Sequence, residues 1–136
     1  MNVKARYSGI QSILYACGKD GCLFLSLLSI AEEVSGKAID LIEGINCAFE
    51  LRCISPNFYV KDSLLLLEIL TGKKWKRRIV KELPEVIKDN EYTVVKYYNA
   101  KTGYTHFKRR GFDSIINSIT VRDGVIKEYY IYSYEL

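Results

Sequence analysis

Two patterns of hydrophobic and polar positions divide the chain into a helical part and a strand-rich part. Residues 22–34 are apolar on nearly every face until Glu32, which is typical of a buried central helix, and Ser35 and Gly36 end this pattern. Asp62 is the predicted N-cap of a later, shorter helix. Further segments with helical spacing are residues 38–52, residues 62–70 and, more weakly, residues 7–15.

After Gly72 the pattern changes to strands rich in Val, Ile, Thr and Tyr. The Asp123-Gly124 pair predicts a tight hairpin turn, because a type I′ turn needs positive φ at both central positions. Residues 83–87 are predicted to form a short helix or a turn. The predicted strands are residues 75–80, 92–98, 104–109, 118–122 and 125–134. Helices followed by antiparallel strands predict an α+β fold.

Length and composition indicate one compact domain. The 136 residues are enough for a single domain, residues 1–136, that buries a core. Hydrophobic residues make up 49% of the chain and charged residues 26%, which excludes an intrinsically disordered chain. The 20 basic and 16 acidic residues give a net charge of +4, which does not by itself require a nucleic-acid partner. Only a local cluster of bases would indicate one.

The sequence predicts no membrane segment. The longest uncharged apolar run, residues 22–31, has about half the length that a bilayer crossing needs. The first residues, MNVKAR, lead into no apolar signal-peptide core. We therefore expect a cytoplasmic location.

The four cysteines are expected to be free thiols in a reducing compartment. Their spacings, C-x4-C and C-x5-C, are poor for a zinc site, which usually combines C-x2–4-C pairs with a nearby histidine. We therefore expect neither a metal nor another cofactor. The cysteines are Cys17, Cys22, Cys47 and Cys53.

The chain contains one histidine, His106, so any mechanism with an imidazole base must use this residue. His106 lies within a predicted strand. Cys22 follows Gly21 and begins the apolar helix, with Asp20 as its predicted N-cap. In the first turn of a helix, unpaired backbone N–H groups and the positive end of the dipole stabilise a thiolate. The sequence therefore predicts Cys22 as a nucleophile and His106 as its base.

Such a pair needs a group that orients the imidazole and donors that stabilise an oxyanion. Asp113 follows the histidine strand and is the candidate orienting residue, with Asn117 in reserve. The backbone N–H of Cys22 and the side-chain amide of Gln11 are the candidate oxyanion donors. Each residue also has a structural interpretation, since a cysteine beside leucines is commonly a core residue and Asp113 can shape a turn.

Three segments carry a resemblance to known proteins. They are residues 20–33 (DGCLFLSLLSIAEE), His106-Phe107, and the tail that runs from Asp113 through residues 117–121 to residues 124–126. A cysteine that begins a central helix, followed by a histidine on the sheet, resembles the papain-like fold in the reduced form of bacteriocin-processing and cell-wall peptidase domains. More narrowly, the segments resemble a family of small uncharacterised proteins encoded by phages and plasmids, including spirochaete plasmids.

This resemblance spans most of the chain and implies a papain-like cysteine peptidase fold, in the cytoplasm of a bacterial host. The chain departs from the pattern at three places, and one of them is the interval of only seven residues between His106 and Asp113, which is short for a strand, a turn and a return strand. The position six residues before Cys22, where papain-like enzymes usually place the oxyanion glutamine, is Ala16, and the nearest glutamine is Gln11. His106-Phe107 is followed by three bases rather than by apolar residues.

Two runs of bases provide a different candidate surface. On adjacent strands they would form one basic face that contacts phosphates while Trp75 or a tyrosine stacks on a base. The alternative is that the bases face water and protect an edge strand from aggregation. The candidate residues of this face are Lys74, Trp75, Lys76, Arg77, Arg78, Lys108, Arg109 and Arg110.

Two functions from different classes follow. In the first, the chain is a thiol hydrolase or transferase that acts on an amide or isopeptide bond of a peptide or protein substrate. Cys22 attacks, His106 transfers the proton and Asp113 orients His106. In the second, the chain is a catalytically degenerate effector of phage or mobile-element type that binds a host protein or nucleic acid through the basic face. The sequence predicts no oligomeric state.

Overall fold

The computed structural model describes residues 21–111 and 124–136. In this part of the chain, helices precede an antiparallel sheet, so the predicted α+β class is confirmed. The predicted helix at 7–15, the predicted strand at 118–122 and the Asp123 position of the hairpin lie outside the described residues. The elements are α1 Cys22–Ser35, α2 Leu41–Glu50, α3 Ser63–Thr71, β1 Trp75–Val80, β2 Glu91–Asn99, β3 Tyr104–Arg109 and β4 Val125–Tyr134.

The helix ends follow from local capping chemistry. The Asp62 side chain accepts the Leu65 N–H at 3.0 Å and begins α3, as predicted. Gly72 ends α3 in the left-handed region, with φ of 71°. The predicted helix at 38–52 is shorter in the structure, because Asp40 caps its first turn by accepting the Glu43 N–H. Residues 83–87 form an irregular connection without a helix.

The four described strands form one sheet in the order β1-β4-β2-β3. Each neighbouring pair is antiparallel, and the central strands β4 and β2 pair over most of their length. β1 and β3 are therefore the two edges of this sheet. Two strands separate them, which at the usual spacing corresponds to about 14 Å.

The helices pack on one face of the sheet and form the core there. Phe24 and Leu27 of α1 and Leu66 of α3 are fully buried with Tyr132 of β4. The Trp75 side chain of β1 is 4% exposed and donates its ring N–H to the Thr71 hydroxyl. None of the described helices combines the length and apolarity that crossing a bilayer would require.

Strand alternation decides which side chains of β3 meet the helices. Phe107 packs against the core, and Arg109 bonds to Ser29 of α1, so both lie on the helix-facing side of the sheet. His106 and Lys108 therefore lie on the opposite side. This alternation divides the histidine and the bases that follow it between two environments.

Candidate active site

Cys22 is the first residue of α1, as predicted. Gly21 is the N-cap, and no side-chain hydrogen bond caps this end of the helix among the described residues. The Cys22 side chain is half-buried, and its carbonyl accepts the Ser26 hydroxyl at 2.8 Å. The sulfur thus lies at the amino end of a buried helix, where N–H groups of the first turn can stabilise nearby negative charge.

The Cys22 sulfur lies at the outer edge of β3. The Arg110 N–H donates to the Thr93 carbonyl of β2 at 2.9 Å, so even-numbered residues here turn their backbone groups toward β2. The N–H of Phe107 therefore points away from the sheet. It donates to Cys22 Sγ at 3.3 Å. This donor stabilises negative charge on sulfur and places the sulfur beside the residue that follows His106.

His106 lies one residue from that bond, on the other side of the strand. Its Nε2 atom is buried and has no hydrogen-bond partner within the described part of the chain. Burial lowers the pKa of His106 below its usual value, and the nearby positive charge of Lys108 lowers it further. The imidazole is therefore neutral near pH 7 and able to accept a proton.

The structure brings the start of α1 and the strand of His106 together, as the sequence predicts. Direct contact between the Cys22 and His106 side chains remains a prediction. Asp113, its reserve Asn117 and the candidate oxyanion donor Gln11 lie outside the described residues. The prediction of Asp20 as the N-cap is wrong, because the N-cap of α1 is Gly21.

Arg109 anchors β3 to α1. Its side chain is 8% exposed and pairs with Glu33 at 3.0 Å. The same guanidinium donates to the Ser29 hydroxyl at 2.9 Å and to the Ser29 carbonyl at 3.3 Å. Ser29 lies two helical turns after Cys22, on the same face of α1. The strand and the helix are thus joined at two points, the Cys22 sulfur and Arg109.

The aromatic ring of Tyr92 extends this anchor. The Arg109 guanidinium lies over the Tyr92 ring at 5.3 Å from its centroid. Burial raises the pKa of Tyr92, and the charge of Glu33 raises it further. Arg109, Glu33 and Tyr92 therefore form one polar cluster between the sheet and α1, and Arg109 supplies its positive charge.

The other described cysteines have different surroundings. None of Cys22, Cys47 and Cys53 forms a disulfide within the described residues. Cys47 lies within α2 and is half-buried like Cys22, whereas Cys53 is fully buried. Burial raises the pKa of Cys53, and the charge of Asp62 raises it further. Residues 21–111 and 124–136 contain no cluster of three or more groups that could hold a metal ion.

The expectation of one basic face is wrong, because the two basic runs lie on opposite edges of the sheet. Trp75 is also unavailable for stacking on a base. Its ring packs edge-on to Tyr134, with 5.3 Å between centroids, and against Tyr92 in the core. Arg109 is buried against α1, as described above. The eight candidate residues therefore do not share one surface.

The remaining bases of β1 differ in their partners. Arg78 pairs with the carboxylate of Glu91, whose side chain is 4% exposed. The Lys88 backbone N–H and Arg78 both bond to Glu91 and hold the pKa of that carboxyl below its usual value. Arg77 lies over the Tyr130 ring on the helix-facing side. Lys74 and Lys76 are exposed, as is Arg110 at the other edge.

Two features of the site were not predicted from the sequence. One is the backbone N–H of Phe107 as the donor to Cys22, which no side-chain pattern could indicate. The other is the Arg109 anchor. The sequence does contain a signal for this anchor. Ser29 and Glu33 are polar positions four residues apart on an apolar helix, and Arg109 lies two residues after Phe107 and therefore on the same face of the strand.

Comparisons with known proteins were made at three levels, and they leave the family open. No family model matches the chain. No curated protein and no solved structure matches it either. The geometry of the described residues therefore carries the functional argument.

Proposed function

We propose that the chain is a thiol hydrolase of papain-like fold that acts on an amide or isopeptide bond, with Cys22 as nucleophile and His106 as base. The observation that carries this proposal is the hydrogen bond from the Phe107 N–H to Cys22 Sγ at 3.3 Å. It supports the proposal because it holds a helix-start thiol at the backbone of the residue that follows the only histidine of the chain. The order of a helix-start cysteine, then helices, then a histidine strand also supports the papain-like arrangement.

The first half of the reaction forms a thioester. His106 accepts the thiol proton of Cys22 as the sulfur attacks the carbonyl carbon of the substrate. The new C–S bond leaves a tetrahedral oxyanion, which backbone N–H groups at the start of α1 can stabilise. The imidazolium of His106 then donates its proton to the leaving nitrogen, the C–N bond breaks and the amine departs.

The second half releases the acid. His106 accepts a proton from water as the water oxygen attacks the thioester carbon. The C–S bond breaks, the sulfur leaves as a thiolate and takes the proton back from His106. A neutral imidazole at rest suits both halves, because each begins with proton transfer to His106.

Acylation by an activated ester tests this proposal. We expect p-nitrophenyl acetate to release more than one equivalent of p-nitrophenol per chain and to leave an acetyl thioester on Cys22, located by peptide mass spectrometry. The His106→Ala variant should acylate about a hundredfold more slowly, as expected for loss of a general base. A library of fluorogenic peptide amides then identifies the amide that is cleaved.

Cys47→Ala is the matched control, because Cys47 is also a half-buried cysteine but lies inside a helix rather than at its start. Its acylation rate should equal that of the unaltered chain. Equal labelling of Cys22 and Cys47, or a single equivalent without turnover, would contradict a hydrolase.

A further inference from the structure

Among the described residues, no strand pairs with the outer side of β1. The Glu135 N–H donates to the Lys74 carbonyl at 3.0 Å, so the even-numbered residues of this strand turn their backbone groups toward β4. The N–H and C=O groups of Arg77 and Ile79 therefore point outward. Within the described part of the chain, no backbone hydrogen bond reaches them. Both residues are exposed, Ile79 to 45%.

The β1 edge is strongly basic. Residues 73–82 contain six bases and one acid. The described carboxylates reach only two of these bases, since Arg78 pairs with Glu91 and Lys81 pairs with Glu128. Lys74 and Lys76 have no acidic partner within 4.0 Å among the described residues and are exposed. Positive charge therefore lines the same edge that presents unpaired backbone groups.

This combination matches a polypeptide better than a nucleic acid. Outward N–H donors and C=O acceptors alternate along β1, and an extended peptide offers the complementary groups at the same spacing. A phosphate backbone offers hydrogen-bond acceptors to the lysine and arginine side chains. It does not offer the alternating donors and acceptors that would pair with the N–H and C=O groups of β1. Trp75, the aromatic residue of this strand, is also unavailable for stacking on a base of single-stranded nucleic acid, because it is buried.

We propose that β1 docks an extended acidic segment of a partner protein, which adds to the sheet as a fifth strand beyond β1. Its backbone pairs with Arg77 and Ile79, and its acidic side chains lie opposite Lys74 and Lys76 on the face away from the helices. This binding site is separate from Cys22 and is independent of the proposed hydrolysis.

A defined peptide tests the docking. The probe is an end-capped eight-residue peptide that alternates glutamate and valine, titrated into the full chain and followed by amide NMR. We expect hydrogen exchange at the Arg77 and Ile79 N–H groups to slow on binding, while the Lys76 N–H, already directed toward β4, changes little. The Cys22→Ala variant should bind the peptide equally well.

Two N-methylated peptides separate strand addition from simple charge attraction. Methylation of the valines and methylation of the glutamates block the N–H groups on opposite edges of the peptide. We expect one of the two peptides to lose binding and the other to keep it. If both bind as well as the parent peptide, or if both fail, strand addition is wrong. This measurement leaves the protein unaltered, so a folding defect cannot imitate the result.

Charge reversal tests the acidic preference. The Lys74→Glu/Lys76→Glu double variant should bind the peptide about tenfold more weakly, since each exposed charge contributes modestly. The control is Lys61→Glu/Lys101→Glu, which changes net charge equally at exposed lysines outside β1. Equal weakening in both variants would contradict a local site. Binding of single-stranded oligonucleotide in place of the peptide would overturn the proposal, and absence of peptide binding would mean that the lysines only block edge pairing.

Discussion

The two edges of the sheet carry similar basic sequences and have opposite surroundings. At β3, the outward N–H of Phe107 is bonded to the Cys22 sulfur, and Arg109 is buried against α1. At β1, no described backbone group bonds to the outward groups of Arg77 and Ile79, and Lys74 and Lys76 are exposed. One edge is thus closed by the helix that carries the candidate nucleophile, and the other is the edge at which we propose that a partner docks.

This difference shows that a charge run has no single meaning in a strand. The residues after His106 separate into three positions, with Lys108 on the face of the histidine, Arg109 in the α1 anchor and Arg110 exposed. Alternation and the covering helix decide which base is structural. The same rule leaves Lys76 exposed while Trp75 beside it is in the core.

The largest expected effect comes from proline on β1, which tests the assignment of its inner and outer backbone groups. Lys76→Pro removes an N–H directed toward β4 and should reduce the free energy of unfolding by about 3 kcal/mol. Arg77→Pro removes an outward N–H and should cost clearly less, because edge strands tolerate proline there. Urea denaturation of both variants measures the difference. Equal losses would mean that β1 has no open side.

Loss of the Arg109 side-chain charge should give the next largest effect. Arg109→Met removes the ion pair to Glu33 and the bonds to Ser29, which should reduce the free energy of unfolding by about 2 kcal/mol. Because Arg109 joins β3 to α1, acylation of Cys22 should also slow.

The matched control is Arg110→Met, one residue further along and exposed. We expect it to change stability by less than about 0.5 kcal/mol. Thermal or urea unfolding of the two variants provides the comparison. If both lower stability equally, Arg109 is not an anchor.

A smaller effect is expected from the titration of His106. Burial lowers its pKa in the folded chain, so the unfolded chain binds a proton first as the pH falls. The contribution of His106 to stability is therefore complete above about pH 6.5 and is lost as the pH falls through the lowered pKa. His106→Gln should flatten this decline below about pH 6.5.

Urea denaturation at a series of pH values measures that slope. The opposite dependence of stability on pH would also be informative. If the unaltered chain gains stability on acidification in this window and the variant does not, His106 is held as an imidazolium beside a thiolate, and the neutral resting state is wrong.

Sequence patterns predicted the elements well because their signals are local. β1, β3 and β4 have the predicted bounds, and Asp62 and Gly72 end α3 as expected. Strand order was not predictable in the same way, since β4 inserts between β1 and β2 from far along the chain. The expectation of one basic face was wrong for this reason.

The candidate site was predicted in part. The meeting of Cys22 with the histidine strand was expected from chain order, and the structure brings the sulfur to the Phe107 N–H. The burial of the Arg109 side chain against α1 was not expected, because a run of three bases is typical of an exposed segment. Burial of an arginine depends on its partners, Ser29 and Glu33, which are distant in sequence.

The most direct test of the central claim is the alkylation rate of each cysteine by iodoacetamide near neutral pH, measured by peptide mass spectrometry. If β3 activates Cys22, it should be modified faster than Cys17, Cys47 and Cys53, and His106→Ala should abolish the difference. Equal rates at all four cysteines, or a Cys22 rate that is unchanged in His106→Ala, would contradict an activated thiol at the start of α1.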